Sequence, residues 1–322
     1  MAVPVQQPVT YETTHAVEVA ADAEAVYAVV ADARSWPLRF LPNVHVEHLE
    51  ESDGFERIRI WATANGAVKS WTSVRTLDPE ALRVTFRQEV STPPVAAMGG
   101  EWIVTRLAPG RSRLELRHDF SAVDDAPENV EWIRAALDRN SGQELDNIRQ
   151  VAELGGRLAE LEFSFTDTVH IEGDGTDVFD FLNRADLWPE RLPHVAALDL
   201  TEDEPGVQVM RMDTSTKDGS VHTTESIRVC FPDAAGGRIV YKQTTVPLLM
   251  TAHTGAWTIK ASGTGVDVSS RHDVRLRTDT VERILGEGAT VADARAYVHK
   301  ALSTNSTATM NLARAYAEER RG

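Results

Sequence analysis

Trp71, Ser73 and Arg75 stand at alternate positions in the stretch Trp71-Thr72-Ser73-Val74-Arg75. On a β-strand successive side chains point to opposite faces, so these three share one face while Thr72 and Val74 share the other. An aromatic wall, a hydroxyl and a fixed cation in one row can bind and polarise an oxygen-rich, largely apolar molecule. The same row also suits a solvent-facing strand with Trp71 packed over the arginine stem.

Other polar residues fall on apolar faces. Along Arg113–Ser121, Leu114, Leu116, His118 and Phe120 alternate onto one side, so His118 points toward core or cavity, as a satisfied core histidine or a functional one. Asp119 points away by the same alternation, which argues against a His118–Asp119 catalytic pair. Gln88 shares a face with Val84 and Phe86, where a polar ligand or a backbone partner can answer its amide. Asn140 lies three residues beyond Leu137 and Asn305 four beyond Ala301, each expected to face a cavity or the sheet backbone from a helix. Trp36, Trp61, Trp71, Trp102 and Trp132 crowd the first half of the chain, which favours a flat cavity for a planar ligand. Ser91 to Gly100, with Pro93-Pro94 and Met98, reads as a loop over the mouth of such a cavity.

The elements that must position these residues occur twice. Trp36-Pro37 recurs as Trp188-Pro189, Ser73-Val74-Arg75 as Ser226-Ile227-Arg228, and Phe86-Arg87-Gln88 as Tyr241-Lys242-Gln243. Trp102 is answered by Trp257, Arg117-His118-Asp119 by Arg271-His272-Asp273, and Asn140-Ser141 by Asn305-Ser306. The offset stays between 152 and 155 through the strands and reaches 165 in the last helix. That period is too long for a solenoid unit, so it marks two homologous domains, 1–157 and 158–322.

Each half begins with a strand (Thr13–Val19 in the first) and a short helix, Ala23–Ala33, with Asp22 as N-cap. Strands follow at Val44–Glu50, Glu56–Ala64, Ala67–Leu77, Leu82–Val90, Glu101–Ala108 and Arg113–Ser121, with turns at Asp53-Gly54, Asn65-Gly66, Asp78-Pro79 and Pro109-Gly110. A long helix from Pro127 to Leu158 closes the domain, its stripe including Ile133, Leu137, Leu145, Ile148 and Leu158. The closing helix of the second half begins near Thr290. One long helix after an antiparallel meander predicts an α+β fold, a curved sheet wrapped around that helix with room for a cavity between them.

Composition narrows the function classes. With 322 residues and a formal net charge of −16 there is no basic run to attract nucleic acid. Cys230 is the only cysteine, which excludes an intrachain disulfide and a thiolate metal cluster and suits a reducing cytoplasm. Met1 to Pro8 has no secretory pattern and no apolar run reaches the length of a membrane span, so a soluble cytoplasmic protein is expected. The sequence has no Gly-rich phosphate loop, nucleophile elbow or helical histidine pair for zinc. Ser73 has no adjacent base. Neither metal nor cofactor is called for.

Trp36-Pro37 followed by Phe40, then Trp71-Thr72-Ser73-Val74-Arg75, the Pro93-Pro94 segment, Trp102 and Asn140-Ser141, resembles the aromatase/cyclases of bacterial type II polyketide synthases. The duplicated arrangement resembles their di-domain branch over essentially the whole chain. The resemblance implies a START-like helix-grip fold. It also implies a poly-β-ketone substrate held on an acyl carrier protein, among other synthase subunits, and first-ring closure by aldol addition followed by dehydration. C7–C12 closure is usual in that branch, and some members act on chains already reduced at C9. Arg75 matches the principal catalytic arginine, Ser73 a pocket hydroxyl, and Trp36, Phe40 and Trp71 the pocket walls. Gln88, Met98, Trp102 and Asn140 complete the expected substrate lining, and His118 is a candidate proton shuttle. Pro42-Asn43 departs from the acidic residue and tyrosine of some single-domain members, which leaves the dehydration acid open. Arg228, Ser226, His272 and Asn305 outline a second site, but Thr224 stands opposite Trp71, so the first domain is favoured for chemistry. A START-like hydrophobic-ligand carrier without catalysis, or a subunit acting by protein contacts alone, are the rival readings.

Overall fold

In a computed structural model of the chain, residues 9–64, 66–215 and 221–321 are described. Met1–Pro8 and the Asn65 half of the expected Asn65-Gly66 turn lie outside them. The chain divides between Gly156 and Arg157 into two compact units.

In the first unit β1 (Tyr11–Val19) alternates half-buried Tyr11, Thr13, His15 and Val17 with exposed Glu12, Thr14, Ala16 and Glu18, as a strand covered on one face must. Helix α1 (Ala23–Ala31) buries Ala23, Val26, Val29 and Val30. Asp22 holds the N-cap position but does not cap; its Oδ1 accepts from the Gly110 amide at 2.8 Å and ties the helix start to a sheet turn. A 3-10 turn at Ala33–Ser35 leads into α2 (Trp36–Arg39), whose Pro37 sits in the first turn, where a missing N–H costs nothing. Strands β2 (Asn43–Ser52), β3 (Phe55–Ala64), β4 (Ala67–Asp78), β5 (Arg83–Gln88), β6 (Val95–Ala108) and β7 (Arg111–Ala122) then form an antiparallel meander. β1 returns to pair with β7, giving the order β1-β7-β6-β5-β4-β3-β2.

Two expectations need correction. Val95–Gly100 is the first part of β6, not a loop: Met98 and Gly100 alternate inward with Trp102, and Gly100 passes so close to β7 that an added Cβ would lie 2.1 Å from the Arg117 carbonyl oxygen. The closing helix α3 (Pro127–Leu154) stops at Gly155, whose φ of +51° ends the helical path. Leu158 therefore belongs to the separate short helix α4 (Arg157–Leu161) rather than to the α3 stripe. That stripe is Ile133, Leu137, Ser141, Leu145, Ile148, Val151 and Ala152, packed chiefly on β1 and β7.

The second unit repeats the plan. β8 (Glu162–Ile171), α5 (Gly175–Asn183) and α6 (Trp188–Arg191) precede β9 (Val195–Glu204), β10 (Val207–Ser215), β11 (Val221–Asp233), β12 (Gly236–Thr245), β13 (Met250–Ser262) and β14 (Gly265–Leu276). The sheet order is β8-β14-β13-β12-β11-β10-β9. A short helix α7 (Val281–Leu285) leads to α8 (Val291–Arg320), which opens on a capping box between Thr290 and Asp293. Among the described residues no helix is long and apolar enough to cross a membrane.

Candidate active site

The register of the first sheet lines up one rung across six strands. Glu56 pairs with Arg75, Arg75 with Phe86, Phe86 with Gly100, Gly100 with His118, and His118 with Thr13. Arg75 and His118 are thus three strand spacings apart, about 14 Å along the sheet. The glycine between Phe86 and His118 is what lets the Phe86 ring lie down: a Cβ on Gly100 would come within 2.8 Å of it.

Arg75 is 1% exposed, which rules out the solvent-facing reading. Its guanidinium ion-pairs with Glu56, donates from Nη2 to the Val30 carbonyl at 2.7 Å at the end of α1, and lies 4.5 Å over the Trp36 ring. Burial would raise the Glu56 carboxyl, but a hydrogen bond from His48 and the Arg75 charge hold it below the usual range, so the pair is ionised. From Arg75 a run of rings leads along the inner face. Phe40 packs on Trp36 at 5.5 Å, Trp36 on Trp102 at 6.1 Å, Trp102 on Phe86 at 4.5 Å, and Phe86 meets His118 edge-on at 5.6 Å. Trp36, Phe40, Trp102 and Ser73 are buried, whereas Trp71, Phe86, Gln88, Met98 and His118 on the same inner face are only half-buried. A face with a buried wall and a partly accessible floor is suited to receive a planar, mostly apolar molecule.

His118 is held neutral. Burial, and then the neighbouring His15, push its pKa down to about 4. Its Nδ1 has no hydrogen-bond partner among the described residues. The expected separation from Asp119 is observed, since Asp119 accepts from Arg87 at 2.8 Å on the outer face. Gln88 is answered by its own strand ends: Ser91 donates to Oε1 at 3.1 Å, and Nε2 faces the Met98 sulfur at 3.8 Å.

The helix supplies a residue that sequence reasoning missed. Glu144 sits between Ser141 and Ile148 in the α3 stripe, where a core side chain would stand, and is partly covered. Burial raises its carboxyl pKa to about 7, opposed by attraction to Arg75. It is about half protonated at neutrality and within range of the Arg75 charge. A glutamate three residues past one inward position and four before the next was the available signal. Asn140 and Asn305, expected to face inward, are exposed; the following serines, Ser141 and Ser306, take the buried positions because each stripe is set one residue later. Trp61 and Trp132 also leave the aromatic set: Trp61 stacks on His45 under Arg59 on the outer face, and Trp132 is 48% exposed. A surface groove of about 620 Å³ beside Tyr11, Val130 and Arg134 is lined by none of the residues of the rung.

The second sheet carries the same rung with different side chains: Gln208, Arg228, Tyr241, Gly255, His272 and Phe165. Here the histidine is satisfied. Burial lowers His253 to about 3 and His272 to about 4, so both are neutral and the chain of bonds has one consistent direction. Ser270 donates to His272 Nε2 at 3.1 Å, His272 Nδ1 to His253 Nε2 at 3.0 Å, and His253 Nδ1 to Gln243 at 2.9 Å, with the Tyr241 hydroxyl 3.0 Å from His272 Nδ1. Trp188 donates to the Phe181 carbonyl at 3.3 Å, while the Trp36 indole nitrogen has no partner among the described residues. Ser226 is buried beside Arg228 on β11, Thr224 replaces Trp71, and Thr309 stands in the buried α8 stripe that answers the Glu144 position.

Two antiparallel sheets, each closed by a long C-terminal helix and each with an arginine–histidine rung on its inner face, define a duplicated helix-grip protein. The chain belongs to the polyketide cyclase/dehydrase family: the family described as "Polyketide cyclase / dehydrase and lipid transport" matches residues 10–153 and again 162–308. It is 45% identical over 322 residues to the actinorhodin polyketide synthase bifunctional cyclase/dehydratase of Streptomyces coelicolor, covering 97% of this chain and 98% of that protein. It is 47% identical over 301 residues to the granaticin polyketide synthase bifunctional cyclase/dehydratase of Streptomyces virginiae, covering 93% and 97%. Among solved structures, the di-domain ARO/CYC BexL from the BE-7585A biosynthetic pathway superposes with a TM-score of 0.86 at 52% identity, over 96% of this chain and 99% of that one. StfQ from the steffimycin pathway superposes with a TM-score of 0.85 at 36% identity, with the same coverage.

Proposed function

We propose that the chain is a first-ring aromatase/cyclase of aromatic polyketide synthesis, acting on a poly-β-ketone carried by an acyl carrier protein and closing the ring between C7 and C12. The observation that supports this reading is the inner face of the first domain, where Arg75 and His118 stand on one rung with aromatic rings between them and Glu144 of α3 senses the Arg75 charge. The rings hold one folded conformer of a chain that cyclises in several registers when left free. Neutral His118 takes a proton from the methylene at C12, and the resulting enolate carbon attacks the C7 carbonyl. Arg75 stabilises the alkoxide that forms at C7, which takes back the proton held on His118. Protonated Glu144 then donates to that hydroxyl as it leaves as water, His118 removes a proton from the neighbouring carbon, and enolisation of the remaining ring carbonyls gives the aromatic ring. Ser73, Gln88, Met98, Trp71 and Trp102 line the approach.

The test is reconstitution with ketosynthase, chain-length factor and carrier protein. Arg75→Ala is expected to replace the C7–C12 aromatic product by shunt products, and Arg228→Ala to retain it. Product unaffected by Arg75→Ala would sink the mechanism, and loss with Arg228→Ala alone would move the chemistry to the second domain. Retained binding of a poly-ketone analogue without turnover would favour the carrier reading instead.

A further inference from the structure

Arg75 and Arg228 occupy matching places in the two rungs, yet they are held differently. Each donates from Nη2 to a carbonyl at the end of its domain's first helix, Arg75 to Val30 at 2.7 Å and Arg228 to Leu182 at 2.5 Å. Each lies over a tryptophan ring, Trp36 at 4.5 Å and Trp188 at 5.0 Å. The difference is the cross-strand neighbour. Arg75 faces Glu56, which takes its Nη1 in an ion pair, and Ala31 accepts from the same nitrogen at 3.4 Å. Arg228 faces Gln208, whose amide is spent on the Asn183 carbonyl at 3.2 Å and on Glu202 at 2.8 Å, and Arg228 Nη1 has no hydrogen-bond partner among the described residues.

Glu56 is itself braced. His48 Nε2 lies 3.1 Å from its second carboxylate oxygen, and both side chains are buried to within a tenth of full cover. His48 pairs with Ile58 in the first sheet; Leu200 pairs with Met210 at the matching register in the second. The pair Glu56–His48 in one domain is thus Gln208–Leu200 in the other. A guanidinium gripped along its Nη edge by a carboxylate and two carbonyls cannot rotate, and the buried Nε is the Arg75 nitrogen without a partner among the described residues.

We propose that Glu56, braced by His48, is a positioning residue for the cyclisation: it fixes the Nη edge of Arg75 under the end of α1 so that the Nε edge is presented to the developing alkoxide. This rests on the reading of Arg75 as a catalytic residue of the first domain. The field of Arg75 is then pre-set before substrate arrives, which acts on the rate of ring closure more than on binding.

The test titrates the full chain into the reconstituted synthase and reads two quantities, the plateau ratio of C7–C12 product to shunt products and the enzyme concentration at half-plateau. The double variant His48→Leu/Glu56→Gln copies the pair the second domain already accommodates. It is expected to lower the plateau ratio at least 10-fold while shifting the half-plateau concentration less than 2-fold. His48→Gln, which keeps the ion pair and loosens its brace, is expected to lower the plateau 2- to 5-fold and serves alone if the double variant does not fold. A merely structural role would lower the unfolding temperature and leave the plateau of the folded protein where it was, and that outcome overturns the proposal. Arg75→Ala is run beside them: its loss of product with an unchanged plateau in both other variants defeats the positioning role alone, while product retained in Arg75→Ala defeats the catalytic reading beneath it.

Discussion

Replacing Glu144 by glutamine tests the proposed acid in stability and activity at once, and in opposite directions. In the fold the carboxyl is raised from 4.5 to about 7 by burial. In the unfolded chain it titrates near its ordinary value. Between those two pH values the native state therefore holds a proton that the unfolded state has lost, and stability falls as pH rises through this window. At about 1.4 kcal/mol per pKa unit, the full shift corresponds to about 3 kcal/mol lost by pH 8, and the partial cover of the side chain brings the figure toward 2. Glutamine has nearly the same shape and no proton to lose. Wild type and Glu144→Gln should thus unfold alike at pH 4 and diverge above it, the variant being the more stable by about 2–3 kcal/mol at pH 8. For a domain of this size that is about 4–12 °C in the midpoint of the first-domain transition.

Activity runs the other way. Protonated Glu144 is the donor, so dehydration should decline about tenfold per pH unit above pH 7 in the wild type. In Glu144→Gln it should be low and flat. The assays are calorimetric or urea unfolding from pH 4 to 8.5, and the ratio of dehydrated to undehydrated cyclic product over the same range. A stability gap that does not change with pH, or a variant that dehydrates as well as wild type at pH 6, would refute the reasoning.

Two further outcomes follow from the rungs. Gly100→Ala places a Cβ 2.1 Å from the Arg117 carbonyl oxygen, a backbone atom that cannot swing away, and should destabilise the first domain by about 3 kcal/mol in urea unfolding. His272→Ala strips Ser270, Tyr241 and His253 of a buried partner and should cost about 2–5 kcal/mol in the second-domain transition, while the first-ring product made by the folded protein is retained.

The sequence made the duplication, the strand order and the inward row of Ser73, Arg75 and His118 legible, because alternation and a near-constant offset survive divergence. What it concealed was relational. The register that sets Glu56 against Arg75 runs unbroken from the Ala64–Ala67 pair and was available from the Asn65-Gly66 dipeptide, but the ion pair formed under the end of α1 needs the packed sheet and helix. Val95–Gly100 resembled a loop because glycine and proline usually punctuate. Here Gly99 and Gly100 are strand residues that admit neighbours, the Arg87 side chain over one and the Phe86 ring over the other. Asn140 was misplaced by one residue, since a stripe read from Leu137 by threes lands there and one read by fours lands on Ser141. Glu144 was overlooked because a charged residue in a long polar helix is usually solvated, and only the packing of α3 on the sheet shows otherwise.

The second domain also gives a physical reason to look for chemistry in the first. Phe86, Met98 and Leu116 of the first domain stand where Tyr241, His253 and Ser270 stand in the second. Those three residues supply the hydrogen bonds that His272 makes among the described residues. Without them His118 keeps a buried nitrogen that no described residue satisfies, at a cost on the order of 1–3 kcal/mol. Apolar replacements around a purely structural histidine would favour losing the histidine as well. Keeping it among rings, three strands from a braced arginine, is the arrangement expected where the missing partner is a substrate oxygen or an acidic carbon rather than another side chain.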